Sequence, residues 1–298
     1  MSFRVLFQTA RPPFLLLTPA CVLVGLGTAA LETQGQVPWP LFALALVGAL
    51  AAHISVNAFN EYFDFRSGLD ARTQRTPFSG GSGTLPAAPE AARGTQALAW
   101  GTLLLTAAIG GYFLLRVGWG LLWVGLLGVI LVYVYTNWVT RSPLLCLVAP
   151  GLGFGPLMVL GTHYVLTGHY SWPAFWASLV PFFLVNDLLL LNQFPDVEAD
   201  RSVGRRHYPI LWGRAKAARL YVAFLVLAYL VPVVGVAAQW LPPWSLLSLL
   251  TLVLAVPTAQ RVLRFADDLP QLMPALGHNV LLNLLTPVLL ALGLWLGS

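Results

Sequence analysis

The chain has 298 residues, 58% of them hydrophobic and only 9% charged, with a mean hydropathy of +0.76. Soluble domains carry about 25% charged residues, so a water-soluble globular fold is excluded and an integral membrane protein is indicated. The net charge of +5 does not point to nucleic acid, because membrane topology accounts for where the basic residues fall, and the two cysteines, Cys21 and Cys146, sit in apolar stretches where they read as small packing residues.

Arg4 and Arg11 precede the first apolar run, over 12–31, which is long enough to remain as a span, so no cleavable leader is expected. Further apolar windows at 39–59, 96–115, 119–138, 144–165, 174–194, 217–238, 243–260 and 277–297 complete nine predicted spans. All should be helices, since lipid offers no partner to an unpaired backbone group. Pro156, Pro181 and Pro232 fall inside spans and predict kinks.

The basic residues test the count. Arg66, Arg72, Arg75 and Arg93 follow the second span and Arg141 the fourth. Arg201, Arg205, Arg206, Arg214, Lys216 and Arg219 follow the sixth, and Arg261 and Arg264 the eighth. Of the 16 basic residues only Arg116 falls on the other side. The positive-inside rule then places the N-terminus in the cytoplasm and the C-terminus outside. The two long connections, 60–95 and 195–216, share the cytoplasmic face, which is where function is expected. Segment 76–89 (TPFSGGSGTLPAAP) reads equally as a flexible linker or as a lid whose glycines let backbone approach a phosphate.

Two polar clusters interrupt the apolar pattern. Asn60-Glu61-Tyr62-Phe63-Asp64, with Asp70 beyond it, closes the second span. Asn192-Gln193-Phe194-Pro195-Asp196, with Asp200 beyond it, closes the sixth. The shared Asn-x-x-x-Asp spacing hints at pseudo-symmetric halves, roughly 1–138 and 139–298, within one polytopic domain over 1–298. If the second span stays helical, His53, Asn57, Asn60 and Asp64 share one face, and Asn60 and Asp64 lie about 6 Å apart at roughly 1.5 Å per residue. Pro195 predicts a bend in the second cluster. Acids at a membrane helix end are costly without a cation. Interleaved with arginines, they suit a site that takes a divalent metal and a phosphorylated ligand together.

NEYFDFRSGLD followed by RTPFSGG, and NQFPDVEADRSVGRR followed by Gly213, resemble the two aspartate-rich motifs of the UbiA superfamily of intramembrane prenyltransferases. The likeness is strongest to the branch that prenylates 1,4-dihydroxy-2-naphthoate in menaquinone synthesis, and it extends to Arg11-Pro12 at the head of the first span. The resemblance implies an all-α fold of nine transmembrane helices in a ring around a central cavity, with a diphosphate held under cytoplasmic loops. It implies Mg²⁺ held by Asp64, Asp70, Asp196 and Asp200, with Asp64, Asp196 and Asp200 catalytic. It assigns Asn60, Arg72, Arg75, Asn192, Arg205 and Arg206 to the diphosphate. Glu61 stands where the family usually has Asp, and His207 replaces a frequent Thr. Tyr133 and Tyr135 resemble a cavity-lining segment, although an aromatic belt explains them equally. Asn57 and Asp187 are further candidates for the acceptor cavity. His163 and His169 are expected at the outer interface, and Asp267 and Asp268 in a solvated loop.

The function implied is Mg²⁺-dependent transfer of a polyprenyl group from an allylic diphosphate to an aromatic acceptor in a bacterial inner membrane, with membrane lipid as the surroundings and no nucleic acid as partner. Two alternatives stand beside it: a same-fold enzyme with another acceptor or a terpene-cyclase activity, and an ion-coupled transporter, since intramembrane acids and repeats also mark transporters.

Overall fold

The computed structural model describes residues 3–73 and 75–298 and is helical, with no strand among the described residues. Its long apolar helices are α1 (Pro12–Thr33), α2 (Trp39–Ser67), α3 (Pro89–Arg116), the shorter α4 (Trp119–Val134), α5 (Pro143–Thr167), α6 (Trp172–Ser202), α7 (Arg214–Ala237), α8 (Pro243–Arg264) and α9 (Leu269–Leu296). Eight are long and apolar enough to cross a membrane. The fourth predicted span, 119–138, is the exception: its helix stops at Val134.

Two helices run past their apolar windows, and this correction shapes the site. α2 continues to Ser67 and stops where Gly68 takes the left-handed conformation (φ 75), its N–H capping the Asp64 and Phe65 carbonyls. α6 starts at a Ser171 cap and continues through Pro181 and Pro195 to Ser202. Pro195 costs one backbone bond in a long, well-packed helix, which is too little to end it. Residues 60–64 and 192–200 therefore ride on helical turns, with Asp70 just beyond the end of α2, and the two long connections are shorter than expected. In α5 the turn over Gly153–Leu157 widens to a π-helix around Pro156, which is how the expected kink is absorbed.

Each helix packs on the next, and α9 packs on α1 to close a ring in which α1 and α6 are the most buried members. The α6–α9 side is filled by residues such as Leu184, Leu191, Tyr221, Leu225 and Leu276. The α1–α6 side is hollow and encloses a cavity of about 1200 Å³.

Lipid supplies no hydrophobic drive for helices to associate, so close backbone approach has to hold them. Gly151 and Gly155 supply it between α5 and α6: a Cβ on Gly151 would lie 2.1 Å from the Phe182 carbonyl oxygen, and one on Gly155 would lie 2.7 Å from that of Ser178. Gly101 of α3, by contrast, has nothing within 4 Å of where its Cβ would stand. Gly151→Ala should therefore lower thermal stability in detergent by about 1–3 kcal/mol through overpacking. Gly101→Ala should leave it unchanged or raise it, as helix propensity alone dictates. Parallel melting curves of the two variants check the contrast.

Candidate active site where two acidic helix ends meet

The last turns of α2 and α6 converge at one end of the cavity. His53, Asn57, Asn60 and Asp64 all line it from α2, as their shared helical face requires, and Asn192, Asp196 and Asp200 line it from α6. Beyond α6, Gly204 (φ 79) turns the chain so that the Arg205 N–H bonds the Asp200 carbonyl at 3.1 Å. That turn aims the Arg205 side chain back into the site. Its Nη1 lies 2.9 Å from Asp200 Oδ1, and its Nη2 donates to Asp64 Oδ1. His207 is buried and places Nε2 3.0 Å from the other Asp200 oxygen. One guanidinium thus joins the acidic ends of α2 and α6.

Four carboxylates, Asp64, Asp70, Asp196 and Asp200, line the cavity with two guanidiniums, Arg11 and Arg205, and Arg11 is already paired with Glu61 behind the wall. The surplus is negative, the sign that draws a cation. Burial works against the Arg205 charge, but Asp64 and Asp200 outweigh it and hold the group firmly protonated. Asp70 is pushed up to about 7, first by burial and then by its neighbours Asp64 and Glu61. Three buried oxygens, Asp70 Oδ2, Asn192 Oδ1 and Asp196 Oδ1, have no hydrogen-bond partner among the described residues. Orphaned buried oxygens are costly, and an all-oxygen set of carboxylate and amide groups is what a hard divalent cation takes. The residues fit such an ion.

Above them lies segment Thr76–Thr84, with Ser79, Gly80, Gly81, Ser82 and Gly83 all against the cavity. Gly80, Gly81 and Gly83 have φ of 83, 71 and 70, a run of left-handed residues that only glycine adopts freely. Glu61 pins this segment from behind. It is fully buried, accepts from the Ser82 N–H at 2.7 Å and the Ser82 hydroxyl at 2.6 Å, and pairs with Arg11 at 2.6 Å. Glu61 does not line the cavity; Arg11 does.

Other predicted residues divide. Asn57 lines the cavity while its amide donates to the Ala10 carbonyl at 3.0 Å, and Asn60 lines it with its amide 3.4 Å from Thr136 Oγ1. Tyr135 lines it too, but Tyr133 is exposed and packs on Phe59 and Trp100. Two residues apart on a helix means about 200° around it, so both cannot face inward. Asp187 is buried but off the cavity, its backbone carbonyl accepting from Asn279. It sits five residues before Asn192, roughly 140° around α6. Arg72 is exposed and reaches Ser202 across the two loops, with Nη1 3.2 Å from its hydroxyl. Arg75 is exposed, its guanidinium over Gly83, and Arg206 is exposed while its N–H bonds the Thr140 carbonyl. None of these three arginines lines the cavity. Asp267 and Asp268 are exposed at the start of α9, as expected.

Sequence reasoning missed the place of Arg11, whose signal was its position just before Pro12 at the head of α1. It also missed Asn283 of α9 and gave Cys146 only a packing role; both line the cavity. Asn279 and Asn283, four residues apart in a largely apolar run, were the available signal.

Residues 18–272 match the UbiA prenyltransferase family. The chain is 29% identical to the 1,4-dihydroxy-2-naphthoate octaprenyltransferase of Bacillus subtilis over 80% of its own length and 76% of that protein's. Its fold resembles the apo structure of a UbiA homolog from Aeropyrum pernix K1, with a TM-score of 0.71 and 19% identity over 94% of this chain and 96% of that one. It also resembles a UbiA homolog from Archaeoglobus fulgidus bound to GPP and Mg²⁺, with a TM-score of 0.60 and 14% identity over 96% and 99% of the two chains.

Two outcomes follow from this geometry. Glu61→Gln keeps an acceptor for Ser82 but removes the charge facing Arg11, a loss of about 1.5–3 kcal/mol. Amide exchange over residues 79–84 should speed up roughly 10- to 100-fold, measured by mass spectrometry. A carboxyl titrating at about 7 is neutral below that pH and anionic above it, and a cation needs the anion. Divalent-cation affinity should therefore fall as pH drops from about 8 to about 6, and Mn²⁺ titration followed by EPR measures it; Asp70→Asn should flatten that dependence.

Proposed function

The chain belongs to the UbiA prenyltransferase family and is a membrane-embedded prenyltransferase, and we propose that it transfers a polyprenyl group from an allylic diphosphate to an aromatic acceptor, 1,4-dihydroxy-2-naphthoate being the candidate its relatives name. The observation that carries the reading is the meeting of two acidic helix ends over one apolar cavity, with unpartnered oxygens on Asp70, Asn192 and Asp196. Its volume of about 1200 Å³ exceeds the roughly 300–1,000 Å³ of ordinary ligand sites, leaving room for a ring and an isoprenoid tail. We further propose nine membrane crossings with α4 as the fourth, the arginine-rich end cytoplasmic in a bacterial inner membrane, and one acidic motif from each half of a single domain.

In this reading Asp64, Asp70, Asp196 and Asp200, with Asn60 and Asn192, hold Mg²⁺. Bound there, Mg²⁺ supplies neutralisation of the charge that develops on the departing diphosphate. Arg205 and Arg11 hold the diphosphate oxygens by forked, charge-assisted hydrogen bonds. Arg205 now spans Asp64 and Asp200, so ligand entry moves its guanidinium from carboxylate to phosphate. The Ser79–Gly83 segment covers the leaving group. The apolar walls keep water from the allylic cation until the aromatic carbon attacks. An ion-coupled transporter fits less well: the acids stand at one end of the bundle, beside arginines that would repel a cation in transit.

Asp64→Asn, Asp196→Asn and Asp200→Asn should each cut turnover by about 10²–10³-fold while the protein still inserts. The assay is Mg²⁺-dependent pyrophosphate release from a labelled polyprenyl diphosphate, with the lipid product identified by mass across a panel of aromatic acids. Near-normal turnover in all three variants would refute the assignment. Release of pyrophosphate without any acceptor would shift it to a cyclase.

A further inference from the structure

At the other end of the bundle three side chains converge outside the lining of the cavity. Glu32 lies in the last turn of α1, His163 near the end of α5, and His169 in the connection to α6. Their ligand atoms all lie within 4.8 Å of one another. His169 is exposed, whereas His163 is fully buried.

Hydrogen bonding fixes how each ring is presented. The Thr28 hydroxyl donates to the Gly25 carbonyl at 2.9 Å, so toward His163 Nδ1, 3.1 Å away, it can only accept. Nδ1 of His163 therefore carries the hydrogen. Nδ1 of His169 stands 3.2 Å from the Thr167 carbonyl, which only accepts, so it too carries its hydrogen. With Nδ1 so engaged, each ring turns its Nε2 toward the same carboxylate. His163 Nε2 lies 3.3 Å from Glu32 Oε2, buried and without a hydrogen bond, and His169 Nε2 meets Glu32 Oε1. Two ring nitrogens and one carboxylate thus converge, with the buried His163 Nε2 left without a hydrogen bond. A single cation among the three would engage them all.

We propose that Glu32, His163 and His169 form a second metal site, for a borderline transition-metal ion of the zinc class. Two imidazoles and a carboxylate select such an ion over Mg²⁺, which prefers oxygen alone. Ligands about 2.0–2.2 Å from zinc stand roughly 3.5 Å apart, a small adjustment for the exposed His169 and the part-exposed Glu32. Thr28 serves as the outer partner that fixes the buried ring, the usual companion of a metal-bound histidine. Three protein ligands leave the fourth position to water. The ion would clip α1 to α5 at the end of the cavity remote from the acids, the same helix pair that Gly25 brings against Val159 and Thr162.

The test uses the full chain in detergent, its affinity tag removed, stripped with a chelator, then exposed to Zn²⁺ with Mg²⁺ in excess and gel-filtered. The wild type should retain about one zinc per chain by elemental analysis and melt at higher temperature for it. Glu32→Gln and His169→Ala should lose that zinc and its stabilisation, and Thr28→Val should weaken binding about 10- to 100-fold. Co²⁺ in place of zinc should give visible ligand-field bands that are missing in His169→Ala, a change at an exposed side chain that leaves the packed core untouched. A wild type that retains no zinc, or variants that retain as much as it does, overturns the site.

Discussion

The Arg205 guanidinium, bonded at once to Asp64 and Asp200, is the contact on which the catalytic end of this bundle rests. Carboxylates at the edge of a lipid-embedded cavity carry a desolvation cost of several kcal/mol each unless a counter-charge lies within reach. Arg205 meets that need for two of them and places the ends of α2 and α6 side by side in doing so. The local backbone exists to deliver it: α6 must run past Pro195, and Gly204 must turn the chain, before the side chain can point back. In the proposed reading the same guanidinium turns to the diphosphate when substrate binds, so one protein cation would serve both the resting site and the bound one.

A hollow of about 1200 Å³ inside a membrane bundle cannot be held open by hydrophobic burial, because lipid would satisfy the same apolar walls. It is held open by uneven packing. On the α6–α9 side, leucines and Tyr221 fill the interior, and on the α5–α6 seam Gly151 and Gly155 bring backbones into contact. α1 and α6, the most buried helices, form the partition between the packed and hollow sides. The acidic ends sit on this partition and on α2 opposite it, so the candidate site is anchored to the most buried part of the ring.

Much of this was legible from residue spacing. His53, Asn57, Asn60 and Asp64 share a face by helical geometry alone, and all four reach the cavity. The arginines were less legible. Charge pattern marks Arg72, Arg75, Arg205 and Arg206 alike, but only Arg205 faces inward, and what separates it from its neighbour is the turn at Gly204. Tyr133 and Tyr135 failed as a pair for the same reason: hydropathy reports that a residue is in a membrane helix, while its direction depends on where the helix is clamped. Asp187 looked functional because a buried acid is rare, and its position around α6 puts it behind the cavity. The helix ends were misjudged because apolar windows stop at the first polar residue, whereas Gly68 and Ser202 mark where hydrogen bonding stops.

Glu61 shows how one methylene redistributes roles. An aspartate there would end nearer the backbone; the longer glutamate spans from Arg11 at the head of α1 to Ser82 in the glycine-rich cover. Its charge also bears on Asp70, raising the pH at which that carboxyl ionises. A single buried side chain therefore bonds the glycine-rich segment and a cavity-facing arginine, and its charge reaches a cavity-lining carboxylate. When the cover is seated, Glu61 is satisfied by Ser82 and Arg11. Without the Ser82 donors, Glu61 would keep only Arg11 as a partner, and water in their place would weaken the charge interactions nearby. The seating of the segment and the electrostatics of the acidic end thus share one hydrogen-bonded carboxylate, so a change at position 61 should alter both.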